Sequence, residues 1–234
     1  MVGLTTVGGI MIKFGSTYLK FGDTYLKDWT SESKYNPLNL PPYTIRLKYK
    51  NGVTPTPRKG TIVQVSSNPN VWDLTYTNSN WGFLCNFNTR DLLEVLGANS
   101  TGVTNMDYMF YFCKSLTSVA SFDTSKVTNT SYMFSECDAL TTVSLFDTSK
   151  VTNMLSMFWR CVSLQSVPLF DTSRVIIMYY MFEDCWSVQS GALALYRQAS
   201  SRVNPPGHER TFKNCGKNTQ SGAAELSQIP SDWK

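Results

Sequence analysis

Three stretches of the chain repeat one another at a fixed step. FDTSKVTN occupies residues 122–129 and returns unchanged at 146–153, and FDTSRVII follows from Phe170, each copy 24 residues after the last. In register, four copies begin at Ala98, Phe122, Phe146 and Phe170: ANSTGVTNMDYMFYFCKSLTSVAS, FDTSKVTNTSYMFSECDALTTVSL, FDTSKVTNMLSMFWRCVSLQSVPL and FDTSRVIIMYYMFEDCWSVQSGAL. A repeat this short cannot bury its own apolar side, so copies must stack and share one core. The repeat therefore predicts an α/β repeat solenoid.

The positions that stay apolar set the shape of a coil. Val127, Met133, Phe134, Cys137, Leu140 and Val143 have counterparts at the same offsets in the neighbouring copies. Their intervals from Val127 to Cys137 are helical, predicting a short helix or 3₁₀ segment with one buried stripe. LTTVSLF, from Leu140, reads as a short strand, and Asp-Thr-Ser turns the corner through side-chain bonds to nearby backbone. Asn105, Asn129 and Asn153 are expected to bond backbone within or between coils, whereas the fourth copy puts Ile176 and Ile177 where the others have Thr-Asn. Cysteines 113, 137, 161 and 185 follow the same step. That spacing suits an interior ladder of small thiols better than a disulfide framework, although stacked coils bring equivalent residues within bridging distance.

The pattern F-D-T-S-x-V-T-N-M-x-x-M-F-x-x-C-x-x-L resembles the BspA-like leucine-rich repeats, the family of the mycoplasma surface-lipoprotein repeats. It covers about 100 residues, with a period inside the 20–29 range of leucine-rich repeats. The resemblance implies a leucine-rich-repeat array of about four to five coils, used for surface adhesion or recognition rather than catalysis. A scaffold alone does not specify a site.

The flanks divide into three parts. Residues 194–234 are expected to cap the stack: TFKNC (211–215) echoes MFEDC (181–185) as a degenerate fifth coil, GALALYRQASSRV reads as a short amphipathic helix, and GAAELSQIPSDWK adds another. With 98–193 as the repeats, residues 41–97 form a β-rich lead-in, with strands expected in YTIRLKYKNG, TIVQVSS and VWDLTYT. DLLEVLGAN bridges into the first coil. This lead-in resembles the head segments that accompany such repeats in proteins of gut bacteria and their phages. Residues 1–40 carry a tandem duplication, KFGSTYLK and FGDTYLK, with Phe14 matching Phe21 and Tyr18 matching Tyr25. The two copies would form a hairpin, or an assembly arm that adds to a neighbour's sheet.

Chemistry is hard to place on this chain. Its one histidine, His208, cannot make a multi-histidine metal site, and no CxxC, HExxH, Walker or GxGxxG pattern occurs. Stacked Asp123, Asp147 and Asp171 would offer oxygens to calcium, but each opens a Thr-Ser turn, which accounts for it. No enzyme activity, metal or other cofactor is expected. The net charge of +4 without a basic run argues against nucleic acid, and no apolar run is long enough to span a membrane.

Binding is expected where the copies differ. Tyr108, Tyr111, Phe112, Tyr132, Trp159, Arg160, Tyr179, Tyr180 and Trp186 occupy variable positions beside the fixed Met-Phe pair and Cys. Drift on a solvent face would favour Lys, Glu, Ser and Thr, whereas Tyr, Trp and Arg dominate interface hot spots. These residues are predicted to face outward toward a protein or glycan of a bacterial surface. The opening MVGLTTVGGIMIKFG has no Lys or Arg ahead of its apolar part and no A-x-A cleavage site. That favours a virion-surface protein, a phage tail or head fibre held to other virion proteins by Phe14, Tyr18, Phe21 and Tyr25, over a bacterial cell-surface or secreted adhesin. A purely structural virion protein is the further alternative, and a homotrimer is expected by analogy with such fibres.

Overall fold

The computed structural model describes residues 38–57, 60–65, 67–82 and 89–234, with the backbone of four two-residue strands near the N-terminus. Those four are β1 (Thr6–Val7), β2 (Ile10–Met11), β3 (Lys20–Phe21) and β4 (Thr24–Tyr25), an antiparallel meander in chain order. Phe21 pairs with Thr24 and Lys20 with Tyr25, while Ile10 pairs with Phe21. Residues 20–21 and 24–25 thus fold back on each other. Phe14 and Tyr18 lie outside the described residues, as does Cys85.

The lead-in is a five-stranded sheet, built from β5 (Thr44–Tyr49), β6 (Thr61–Gln64), β7 (Val71–Thr75), β8 (Leu92–Asn99) and β9 (Ser118–Val119) in the order β6-β7-β5-β8-β9. Alternation along β5 buries Ile45, Leu47 and Tyr49 on one face. The Asn51–Gly52 turn, with Gly52 at φ 76°, does not join β5 to β6; β5 lies between β7 and β8 instead. β8 runs antiparallel to β5 on one edge and parallel to β9 on the other, pairing Glu94 with Ser118 and Val95 with Val119. Those last partners are 24 residues apart, so β8 already takes part in the stacking of the repeats. The expected boundary between 97 and 98 falls inside one buried cluster that runs from Ile45 to Trp233.

Successive copies hydrogen-bond to one another in register. Parallel bridges link Asn80, Asn105, Asn129, Asn153, Ile177 and Gly207 in that order. The amides of Met106, Thr130, Met154 and Met178 each donate across one step, to Asn129, Asn153, Ile177 and Gly207 carbonyls at 2.8–3.0 Å. Each Asn side chain also accepts from the amide two residues on, as Asn129 Oδ1 does from Ser131 at 3.1 Å. At the corners, Asp123, Asp147 and Asp171 accept from the amides of Ser125, Ser149 and Ser173. Buried Thr124 and Thr148 donate to the next coil's Asp carbonyl at 2.9 Å. Among the described residues no group of three His, Cys, Asp or Glu is arranged to hold a metal.

The stretch expected to be helical is a run of tight turns. Met109, Tyr111 and Cys113 amides bond the carbonyls three residues back, while Tyr108, Phe110 and Phe112 amides reach the next coil. Alternating the direction of successive amides requires left-handed residues, and Tyr108, Phe112, Tyr132, Glu136, Ser156, Arg160, Tyr180 and Asp184 have φ between 52° and 65°. Inside, phenylalanines stack in a column, Phe110–Phe134–Phe158–Phe182–Phe212, with centroids 5.2–6.1 Å apart. The described cysteines are buried. Thiols of Cys137, Cys161 and Cys185 donate at 3.0–3.2 Å to the carbonyls of Phe110, Phe134 and Phe158 in the coil before.

The far end closes with α1 (Ala192–Ser200), α2 (Gln220–Ser227) and a 3₁₀ turn at Ser231–Trp233. Between the two helices, residues 207–215 continue the stack: Phe182 and Asp184 amides donate to Thr211 and Lys213 carbonyls. Trp233 then covers the open side, stacked on His208 at 4.0 Å and on Phe212 at 6.2 Å. Among the described residues no helix is long and apolar enough to cross a membrane.

Candidate binding face

The turn run sets three residues of each coil along one side, and the stacking converts each into a column in which Ser135, Ser156 and Glu183 are buried and the others are half-buried or exposed. One column reads Tyr108, Tyr132, Ser156, Tyr180, Arg210; the second reads Tyr111, Ser135, Trp159, Glu183, Lys213; the third reads Phe112, Glu136, Arg160, Asp184, Asn214. The first and third are the left-handed positions, Arg210 and Asn214 included. Such φ values disfavour residues with a Cβ. From Tyr108 to Asp184 they are held because each left-handed residue's amide is bonded to the next coil.

At the N-terminal side of the face the aromatics pack on each other. Tyr108 stacks on Tyr132 at 4.5 Å and 11°, meets Tyr111 edge-on at 5.6 Å, and Tyr111 lies 6.1 Å from Phe112. Lys114 sits 4.5 Å over the Phe112 ring and bonds Glu136 and Asp138, while Arg90 covers Phe112 at 4.8 Å. Partial burial raises the pKa of the Tyr108 and Tyr111 hydroxyls, and Tyr111 donates to Glu136 at 3.3 Å. For Lys114 partial burial acts against the charge but is outweighed by its two carboxylate partners, so its pKa is raised.

Toward the C-terminal side the face is more polar. Arg160 is exposed and lies 5.5 Å from the Trp159 ring, and Tyr179, 37% exposed, packs across Gly207. A side chain at Gly207 would meet the Tyr179 ring at 2.5 Å and would have to push that exposed ring aside. Trp186 donates its indole N–H to Asp184 at 3.2 Å under Lys217 at 5.3 Å. Glu183 is buried, with a side chain 5% exposed, and is paired with Arg210 and with Lys213 at 3.6 Å. The hydrogen bond that Arg210 donates to Glu183 holds its guanidinium charged, raising its pKa, and Arg210 in turn lies 5.1 Å over Tyr180.

All nine residues singled out from sequence fall on this side of the turn run; Arg160 and Tyr179 are exposed and the other seven are half-buried. Four residues outside that set of nine complete it: Ser156, Glu183 and Asp184, which stand at the same variable positions, and Arg210 line a cleft of about 430 Å³ together with Tyr132, Trp159 and Tyr180. The signal for Arg210 was present. It stands five residues before Cys215 as Tyr180 stands five before Cys185.

One comparison with known proteins bears on this region. Residues 84–194 match the model of a family described as "Mycoplasma protein of unknown function, DUF285". The matched segment is just under half of the chain and takes in β8, the four in-register copies and every residue of the face except Arg210 and its neighbours. No curated protein and no solved structure gives a match.

Proposed function

We propose that the protein is a non-catalytic recognition module of the BspA-like leucine-rich-repeat type, a solenoid that binds through its aromatic face. The observation that carries this reading is the conversion of the variable positions into one continuous surface of half-exposed rings. Tyr108, Tyr111 and Tyr132 form one end of it, and Trp159, Tyr179, Tyr180 and Trp186 the other. A structural surface would be served by small polar residues at these left-handed sites, where Tyr and Arg carry a conformational cost. Large rings there gain most when a partner covers them, because aromatic and Arg side chains supply dense contact area at low entropy cost. The period and the family match on residues 84–194 support the repeat type. The partner in this reading is a protein or glycan of a bacterial surface, and the module is carried on a phage fibre.

Labelled protein applied to a panel of bacterial cells tests it. The variant with Trp159, Tyr179, Tyr180 and Trp186 all changed to Ser is expected to lose cell binding by about 100-fold or more, the sum of two hot-spot losses. Undiminished binding by a folded quadruple variant would sink the reading. Tail or capsid genes beside this one would support the virion setting, and export or anchoring genes would overturn it.

A further inference from the structure

The first column of the face has a missing member. Tyr108 and Tyr132 stack with centroids 4.5 Å apart, and Tyr180 is covered by Arg210 at 5.1 Å, so neighbouring steps are filled ring against ring or ring against guanidinium. The middle step holds Ser156, which is buried and too short to fill it. Tyr132 and Tyr180 are two coil steps apart, which at the ~4.8 Å interstrand spacing leaves roughly 9–10 Å between their rings. The cleft of about 430 Å³ lies here, with Trp159 as a third aromatic wall.

We infer that the gap at Ser156 is a binding slot for a neutral pyranose ring, held between the Tyr132 and Tyr180 rings. This rests on the reading of the aromatic face as the binding surface and names the chemistry one part of it takes. A ring centred in the gap lies ~4.5–5 Å from each tyrosine, the close end of aromatic contact distances. A pyranose presents apolar C–H groups on both faces and hydroxyls around its edge, which need donors and acceptors together. The edge of the slot supplies both: the carboxylates of Glu183 and Asp184, the Ser156 hydroxyl, and the guanidinium of Arg210. Arg210 spends one nitrogen on Glu183, while its Nε–H is buried with no acceptor among the described residues. A buried donor left without a partner is uncommon and costly, and a ligand hydroxyl would satisfy it.

Charge argues for neutrality. Glu183 is paired with Arg210 and Lys213, and Asp184 accepts from Trp186 and Asn214, so no carboxylate stands unpartnered to select a cation. A quaternary ammonium would also have to displace the cations already lying on Trp159 and Tyr180. An aromatic side chain of a protein partner would fit the gap in thickness, but it would bring no hydroxyl to the Arg210 donor.

The test uses the whole chain and saturation-transfer NMR with methyl glycosides of glucose, galactose, mannose and N-acetylglucosamine, with N-acetyl-tyrosinamide alongside. Ser156→Tyr fills the slot from within. Its backbone, at φ 52°, matches Tyr108, Tyr132 and Tyr180 at 54–58°, so the column should accept it. At least one glycoside is expected to bind saturably, and Ser156→Tyr should weaken it by about tenfold or more with the melting temperature held or raised. Tyr132→Ala, which removes one wall, is the second variant and should weaken binding similarly. No glycoside binding, equal binding by Ser156→Tyr, or binding of N-acetyl-tyrosinamide alone would each overturn the proposal. Cell binding separates the two claims. If Ser156→Tyr still binds cells while the quadruple serine variant does not, the slot fails and the face stands; if neither variant changes it, the face fails as well.

Discussion

Ser156 and Cys161 stand five residues apart in one coil and show how differently an outward and an inward position are fixed. Facing out, the left-handed site is set by its amide, which bonds the Tyr179 carbonyl at 2.9 Å, and leaves the side chain free to vary: Tyr, Tyr, Ser, Tyr, Arg down the column. Facing in, the site is set by its side chain. The thiol is small enough to sit beside the phenylalanine column and donates to Phe134 O at 3.0 Å. Burial holds the Cys161 and Cys185 thiols well above the ordinary range and raises Cys215 too. Two outcomes follow for the described cysteines. They should resist alkylation at pH 8 in the native protein and react once it is denatured, as read by peptide mass mapping. Because the folded thiols ionise later than the unfolded ones, stability should hold up to about pH 8.5, the free thiol pKa, and fall as pH rises beyond it, where only the unfolded chain loses protons. Urea midpoints from pH 7 to 10 would show this, and a flat profile would contradict it. The buried ladder was legible from the 24-residue spacing of the cysteines. The hydrogen bond that favours a thiol over alanine was not, because its acceptor is a backbone atom 27 residues away.

At the scale of the element, the turn run and the strand each differ from what periodicity suggests. Met133, Phe134 and Cys137 recur at intervals of three and four, as on a helix. Tight turns that advance two residues at a time bring the same positions inside, and hydropathy cannot separate the two. The difference lies in where the amides go. Half of them leave the coil for the next one, which a sequence pattern does not record. Similarly, LTTVSLF lacks strand pairing beyond single links such as Gln165 N to Thr141 O at 2.9 Å, since one or two bonds per side suffice to join coils. The capping helix was easier to read. GALALYRQASSRV forms Ala192–Ser200, buried through Ala192, Leu195 and Ala199, with Gly191 left-handed at its start. Of the phenylalanines, Phe158 is fully buried between two others of its column at 5.2–5.3 Å and near Phe170 at 6.0 Å. Phe158→Ala should cost about 3–5 kcal/mol in urea unfolding, the range for emptying a packed aromatic site. A loss below ~1 kcal/mol would mean that the column does not hold the coils together.

For the whole molecule the question is how a stack with two ends avoids two exposed apolar faces. The N-terminal end is closed by the lead-in sheet. Trp81, fully buried, donates its amide to Asn105 O at 2.9 Å and stacks on Tyr76 at 5.5 Å. The opposite end is closed by α1, α2 and the short turn that carries Trp233, whose carbonyl accepts from Phe212 at 2.9 Å. Removing residues 230–234 should uncover the Phe212 ring and lower the melting temperature by several degrees, while leaving exchange protection at β5 and β8 unchanged. Loss of protection throughout would show that both ends melt as one unit. What sequence could not supply was the joint between the parts. β8 meets an antiparallel neighbour and a parallel one at once, and residues 80 and 105 are linked at a step of 25 rather than 24. That joint also governs how such a chain can change in length. Whole 24-residue units can be inserted or deleted between the Asn105 and Asn153 bridges while keeping the same hydrogen bonds, because the seams on either side of Asn129 repeat one another. Neither terminus offers such freedom, so the molecule can grow only from its middle, and each added coil lengthens the outward columns by one position open to change.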